Sequence, residues 1–103
     1  MLLIREVMYC KPGKVRSLVE RFLAMSKLNE KMGMGKIRVM TDFSAERYWT
    51  LVAEMEVPSL TAFEKMMSGE GFNEADMKEF EKVMGNYHEL VDHGKREIYK
   101  IEG

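Results

Sequence analysis

His88 is the side chain in this sequence best suited to acid–base chemistry at physiological pH. An imidazole has a reference pKa near neutrality, so it can accept or donate a proton under these conditions. His88 follows Tyr87 near the end of the last predicted helix and lies next to its apolar stripe, within reach of a pocket. We therefore predict His88 as the catalytic residue. The alternative is a boundary histidine that only interacts with the dipole at the helix C-terminus.

Two aromatic residues and two arginines are predicted to line the same pocket: Trp49, Tyr87, Arg5 and Arg38. Trp49 falls on the apolar face of a predicted strand, where it either contacts a ligand or packs in the core. Arg5 and Arg38 lie within predicted strands, where a guanidinium needs a carboxylate or an anionic ligand. For both arginines the alternative is an ion pair with a nearby glutamate: Glu6, Glu54 or Glu56.

The sequence predicts no metal site and no cofactor. His93 stands five residues after His88, which is not the i, i+4 spacing that puts two ligands on one helical face, and no carboxylate completes a set. The single cysteine, Cys10, excludes an intramolecular disulfide and a paired-cysteine zinc site. Free thiols are typical of reducing compartments, so we expect a cytoplasmic protein.

Length and charge indicate one domain that spans residues 1–103. A chain of 103 residues buries roughly two-thirds of its unfolded surface, which is enough for a sheet with a helical layer. The formal net charge is -1, so we expect no binding to nucleic acid or to an anionic membrane. The apolar start, residues 1–4, is too short for a signal peptide or a transmembrane helix. A small apolar or aromatic ligand and other protein chains are the partners expected.

Hydrophobic periodicity predicts the elements that must position these residues. Strands are predicted at residues 2–9, 36–43, 47–57 and 96–101. Helices are predicted at residues 14–31, after the N-cap Ser59, and from the N-cap Asn73 to Gly94. In the strand at residues 47–57 the odd positions from Trp49 onward are apolar and meet the core. Pairing with the preceding strand then sets odd positions opposite odd, for instance Val39 opposite Leu51.

This order of elements is that of a ferredoxin-like βαββαβ unit of the α+β class. Right-handed crossovers place the first and third strands in the middle of a four-stranded antiparallel sheet with the helices on one face. The other face carries apolar side chains among charged ones: Tyr48, Val52, Met40 and Met8. A solvated sheet does not need them, so we predict a homodimer in which two such faces meet.

The chain resembles the dimeric α/β-barrel proteins and, within that group, the NIPSNAP family. The resemblance rests on a first strand that runs into Lys11-Pro12-Gly13-Lys14, on a short helix with Phe63 after the central strand, and on the ending at residues 87–99. It implies a dimer with a pocket between helices and sheet in each subunit. It does not imply one reaction, because the relatives include cofactor-free oxygenases, haem degraders, isomerases and members without known activity.

The sequence departs from the haem-degrading relatives. Those proteins place an Asn on the first strand, a Trp near the end of the third strand and a His on a following helix. Here the first strand has no Asn, Trp49 lies near the start of its strand, and residues 68–72 contain no His where many oxygenase relatives have one. Haem degradation is therefore not predicted, and the quinone-type oxygenase interpretation is weakened.

Two functions remain open, and the sequence does not decide whether the protein is an enzyme. One is a small-molecule pocket protein, such as a cofactor-independent oxygenase or isomerase, with His88, Trp49 and Tyr87 lining the cavity. The other is a non-enzymatic dimerising or partner-binding module. A mostly apolar cavity between helices and sheet favours the first function, and a solid core there favours the second.

Overall fold

The computed structural model describes residues 1–70 and 72–103. The elements follow in the order β1 (Leu2–Cys10), α1 (Val15–Lys31), β2 (Arg38–Thr41), β3 (Thr50–Val57), α2 (Leu60–Ser68), α3 (Glu74–Met84), a 3₁₀ turn (Tyr87–Glu89) and β4 (Val91–Lys100). The four strands form one antiparallel sheet in the order β2-β3-β1-β4. The predicted ferredoxin-like fold of the α+β class is therefore confirmed. No helix within the described ranges is long and apolar enough to cross a membrane.

The two faces of the sheet have different surroundings. The odd positions of β3 face the helices, and Leu51, Ala53 and Val57 are buried there. β1 presents its even positions to the same side, because Ile4 lies opposite Met55 across the pair. The face that packs against the helices is called the helix face below, and the opposite face is called the outer face.

The strand registers correct two details of the sequence interpretation. Met8 lies opposite Leu51 and packs against the core, so its predicted place on the outer face is wrong. Val39 lies opposite Ala53 rather than Leu51, two residues from its predicted partner. The alternation of apolar residues fixes which side chains share a face, but the offset along the strand also depends on the connecting loop.

Helix α1 covers the central strands with an apolar stripe. Leu18, Val19 and Phe22 recur at helical spacing and are buried in one cluster with core residues of β3. Ser26 fixes the chain that leads into β2, because its hydroxyl donates to the Ile37 carbonyl at 3.2 Å and accepts the Ile37 N–H at 2.9 Å. The first helix and the second strand are thus joined by polar bonds inside the core.

Side-chain caps begin the next two helices where they were predicted. Ser59 Oγ accepts the N–H of Ala62 at 3.1 Å at the start of α2. Asn73 Oδ1 accepts the N–H of Asp76 at 2.7 Å at the start of α3. Each bond satisfies a backbone donor that the helix itself leaves free. Gly69 ends α2 in the left-handed conformation, with φ at 77°.

Helix α3 is shorter than predicted. It ends at Met84, because Gly85 leaves the helical conformation and Asn86 has a left-handed φ of 64°. Arg21 of α1 binds this end from Nη1, which donates to the carbonyl of Val83 at 3.2 Å and to that of Gly85. The last carbonyls of α3 are therefore satisfied by a neighbouring helix.

Strand β4 begins at Val91, five residues before the predicted start at residue 96. His93 and Gly94, predicted to end the last helix, lie within this strand instead. Gly94 pairs with Met8, and a Cβ at Gly94 would come within 2.7 Å of the Val7 carbonyl oxygen. Gly94 therefore permits close pairing with β1. Its role is tertiary, and it does not end a helix.

Strand β3 begins later than predicted, at Thr50. Trp49 precedes it with a φ of 60°, a conformation that bulky residues rarely adopt. The Thr50 N–H donates to Asp42 Oδ1 at 2.9 Å, and its hydroxyl donates to the Arg47 carbonyl at 2.8 Å. The Trp49 carbonyl accepts the N–H of Cys10 at 2.8 Å. These bonds hold the turn before β3 and take the Trp49 side chain out of the strand alternation.

Candidate functional site

A cavity of about 510 Å³ lies between the helices and the helix face of the sheet. Nearly half of the residues that line it are methionine or phenylalanine: Met8, Met25, Met55, Met66, Met67, Met77, Met84, Phe22, Phe63, Phe72 and Phe80. Ile4 and Ala53 line it from the sheet. A cavity of this size can hold a small organic molecule, and flexible thioether side chains can adapt to its shape.

Helix α3 forms the wall at which packing is incomplete. Six residues of α1 are buried, whereas none of α3 is. Met77, Phe80 and Met84 line the cavity from α3 and remain partly exposed. The apolar face of α3 therefore covers a space instead of closing on the sheet.

An ion pair lies on the sheet side of this cavity. Glu6 of β1 lies opposite Arg96 of β4, and both line the cavity. Arg96 Nε donates to Glu6 Oε1, and the guanidinium carbon lies 5.1 Å from the centroid of the Phe63 ring. The side chain of Glu6 is 21% exposed and that of Arg96 is 43% exposed. The pair therefore lies at the border between the apolar interior and water.

A second cavity of about 490 Å³ adjoins the first along β4 and the 3₁₀ turn. Four residues line both cavities: Glu6, Met8, Tyr87 and Arg96. The second cavity is more polar, since His88, Asp92 and Lys95 also line it. The Glu6–Arg96 pair thus stands between an apolar space and a polar one.

The structure distributes the predicted site residues over both faces of the sheet. Tyr87 lines both cavities, and its ring centroid is 4.1 Å from that of His88. His88 is exposed and lines the smaller cavity. Trp49 is 44% exposed and is not among the described residues that line either cavity. Arg5 and Arg38 lie on the outer face, away from both cavities.

Arg5 has one of the carboxylate neighbours that were given as the alternative to a ligand, Glu54, and also a second one, Glu97, that was not predicted. Arg5 Nη1 lies 3.5 Å from Glu54 Oε2, and Arg5 Nε lies 3.6 Å from Glu97 Oε1. Arg38 is exposed and lies opposite Glu54 on β2. Two carboxylates therefore balance the charge of Arg5, although its buried Nε has no hydrogen-bond partner among the described residues.

Sequence reasoning missed Glu6 and Arg96 as site residues. In the sequence, Glu6 interrupts the apolar pattern of the first strand, and Arg96 is the charged first residue of the last predicted strand. A signal was present, because Glu6 has the same parity as Ile4 and Met8, which are apolar. An acidic residue in such a row faces the core side and needs a partner there.

The other titratable residues do not form a metal centre. His93 lies in β4 opposite Tyr9, with Nδ1 2.7 Å from Asp92 Oδ2 and Nε2 2.8 Å from Arg47 Nη1. Within residues 1–70 and 72–103 there is no group of three or more His, Cys, Asp or Glu side chains that could hold a metal ion. These contacts make His93 part of an exposed polar cluster.

Cys10 is the end residue of β1 and is buried in the core cluster. Burial raises the pKa of its thiol, and the nearby Asp42 carboxylate raises this pKa further. Both effects favour the neutral thiol over the nucleophilic thiolate. Cys10 is therefore a packing residue of the core.

Comparison with known proteins identifies the fold. No protein-family model and no curated protein sequence matches the chain. Among solved structures, an uncharacterized NIPSNAP-like domain protein from Burkholderia xenovorans has a TM-score of 0.74 at 10% identity, covering 98% of this chain and 84% of that one. A NIPSNAP family protein from Agrobacterium tumefaciens has a TM-score of 0.74 at 7% identity, covering 96% of this chain and 90% of that one.

An antibiotic biosynthesis monooxygenase is similar over 100% of both chains, with a TM-score of 0.62 at 13% identity. Similarity at such identities establishes a common fold, while chemistry depends on the site. The chain therefore has the ferredoxin-like fold of these NIPSNAP-like proteins and of this monooxygenase, as the resemblance in sequence predicted.

Proposed function

We propose that the chain is a NIPSNAP-like protein that binds a small, mainly apolar molecule between its helices and its sheet. The observation that carries the proposal is the cavity of about 510 Å³ with its methionine and phenylalanine lining. The fold that the chain shares with NIPSNAP-like structures supports the family assignment. The incomplete packing of α3 supports ligand binding, because a bound molecule would supply the apolar contacts that this helix lacks.

The proposed chemistry is a cofactor-independent oxygenation or isomerisation that begins with removal of a proton from the bound molecule. His88 is the proposed base, because a neutral imidazole accepts a proton near physiological pH. A substrate that extends from the larger cavity into the smaller one passes Tyr87 and reaches the ring of His88. Trp49, Arg5 and Arg38 are given no part in this mechanism, because they are not among the described residues that line either cavity.

The binding proposal is tested with N-phenyl-1-naphthylamine, a neutral apolar dye that fluoresces when it leaves water. The wild-type protein is expected to bind the dye at one site per chain. Ala53→Met places a longer side chain at a buried position in the cavity lining and should weaken binding about tenfold or more. Ala75→Met adds the same side chain to the exposed surface of α3 and should leave binding unchanged.

Two results would contradict this proposal. The first is a wild-type protein that does not bind the dye, which would mean that the cavity does not accept apolar molecules. The second is equal binding by Ala53→Met and Ala75→Met, which would place the dye elsewhere. Circular dichroism of each variant establishes that the fold is retained. Mass spectrometry of small molecules that copurify with the native protein then identifies the natural ligand.

The homodimer forms, in this proposal, by contact between two outer faces. Val52 and Met40 lie opposite each other on this face, and no helix of the chain covers them in the described residues. Charges of both signs surround them, with Arg5 and Arg38 beside Glu54. Such a face can meet a second copy of itself, because two-fold contact requires a self-complementary patch.

The second candidate function is a non-enzymatic dimerising or partner-binding module. The uncovered outer face favours it, because dimerisation through this face requires nothing from the cavity. An empty cavity after purification, together with a stable dimer, is the result that would support it. We place either function in the cytoplasm, where the buried free thiol of Cys10 is compatible with reducing conditions.

A further inference from the structure

We infer that the ligand of the larger cavity has an apolar body and one carboxylate, and that Arg96 holds this carboxylate. The inference rests on the proposed function, because it names the class of ligand that the cavity binds. Arg96 and Glu6 are paired on the helix face and line both cavities. The apolar lining selects the body of the ligand, and Arg96 selects its head group.

The hydrogen bonds of Arg96 leave part of its guanidinium free. Nε donates to Glu6 Oε1, and this is the only side-chain hydrogen bond of Arg96 among the described residues. A guanidinium has five N–H donors in a rigid plane, so the two Nη groups still have donors for a second carboxylate. Glu6 therefore orients Arg96 without occupying all its donors. The nearby Phe63 ring, 5.1 Å away, supports the guanidinium on the apolar side.

The position of the pair at the edge of the apolar cavity favours an anionic head group over a neutral one. The side chain of Arg96 is 43% exposed, so water can bind its Nη groups when the cavity holds no ligand. A ligand that enters the cavity displaces part of this water. A hydrocarbon or an alcohol offers the Nη groups few or no acceptors, whereas a carboxylate offers two charged oxygens.

A cationic ligand fits the same site less well. An amine beside Arg96 would need the carboxylate of Glu6, which already accepts a hydrogen bond from Arg96. The two other acidic residues of the lining are Glu54, which pairs with Arg5, and Glu81, which is exposed on α3. It would also lie next to the guanidinium, whose positive charge repels a second cation. The combination of the remaining Arg96 donors and an apolar space therefore points to a monocarboxylate.

The test compares octanoate with 1-octanol as competitors of N-phenyl-1-naphthylamine at neutral pH. The two competitors have the same alkyl chain length and differ in the charge of the head group. The wild-type protein is expected to release the dye at about tenfold lower concentration of octanoate than of octanol. Arg96→Met keeps much of the apolar stem and removes the donors, so it should remove the preference for octanoate.

Two further variants separate the role of the pair from a general effect of charge. Glu6→Gln keeps an acceptor for Nε but removes the negative charge, so octanoate should bind several-fold more tightly than in the wild type. Arg16→Met removes one positive charge from the exposed surface of α1 and should leave both competitors unchanged. Thermal unfolding of each variant shows whether the fold is intact.

The outcomes distinguish failure of this inference from failure of the proposed function. A dye that does not bind the wild-type protein contradicts the binding proposal itself. A dye that binds and is displaced equally by octanoate and octanol contradicts only the inference about Arg96. An octanoate preference that persists in Arg96→Met contradicts it as well, because another cation must then hold the carboxylate.

Discussion

Both faces of the sheet carry arginines within their strands, and Arg5 on the outer face differs from Arg96 on the helix face in its partners. On the outer face, Arg5 lies between the carboxylates of Glu54 and Glu97. On the helix face, Arg96 is bound to Glu6 at the border of a cavity. A guanidinium in a sheet can thus lie between two carboxylates or be bound to one carboxylate at the edge of a cavity. The outer face has the first arrangement, and the helix face has the second.

The two faces also differ in what covers their apolar residues. The helix face is covered by the chain itself, with a filled part under α1 and a hollow part under α3. The outer face has no such cover in the described chain, although Val7 is buried within it and Val52 is partly buried. We expect substitutions on the outer face to change association, and substitutions on the helix face to change stability or binding.

The largest expected effect is that of Val52→Glu on the outer face. Burial of an unpaired carboxylate between two sheets costs several kcal/mol, so the dimer should weaken by a factor of about 100 or more. Sedimentation velocity at micromolar concentration should show a dimer for the wild type and a monomer for this variant. Leu60→Glu, on the exposed surface of α2, is the control and should remain a dimer. A wild-type monomer, or a dimer of Val52→Glu, would contradict the outer-face interface.

The next largest effects are on folding stability, and they are expected to differ between the filled and hollow parts of the helix face. Leu18→Ala removes a fully buried side chain of α1 and should lower the free energy of unfolding by about 2–5 kcal/mol. Met77→Ala removes a partly exposed side chain that borders the cavity, so the expected loss is only about 1 kcal/mol. Urea denaturation measures both losses at a fixed protein concentration. Equal losses would mean that α3 packs as tightly as α1 in solution.

The smallest expected effect on stability is that of His88→Ala. The ring is exposed, so its loss should change the free energy of unfolding by less than about 0.5 kcal/mol. The dimer and the binding of N-phenyl-1-naphthylamine should remain unchanged. Turnover of the natural substrate, once it is identified, should be lost if His88 is the base. Turnover that persists in this variant would remove His88 from the mechanism and favour the non-enzymatic function.

Local patterns were sufficient for most of the fold. The alternation in β3 and the helical spacing in α1 depend on which side chains must be buried, and this requirement is visible in the sequence. Ser59 and Asn73 were recognisable as N-caps because their side chains act on backbone groups only three residues away. The order of the elements and these short-range caps were therefore sufficient to predict the sheet topology.

The errors occurred where distant contacts decide the local structure. Residues 91–94 continue a helical pattern in sequence, but pairing with β1 makes them part of β4. In the sequence, Trp49 continues the alternation of the strand. In the structure, the hydrogen bonds of Thr50 hold the turn before β3, so Trp49 lies outside the strand. Arg96 acquires its role only because the register places it opposite Glu6, and that register depends on the whole sheet. Periodicity carries no information about such partners.

The bond from Arg21 to the end of α3 has a consequence for how a molecule reaches the cavity. Arg21 ties the C-terminal end of this helix to α1, whereas the other end is held by the local cap of Asn73. We therefore expect α3 to rotate about its C-terminal end, with the larger displacement near Asn73. The diffusion of a ligand into the cavity would then be limited by the rate of this helix movement.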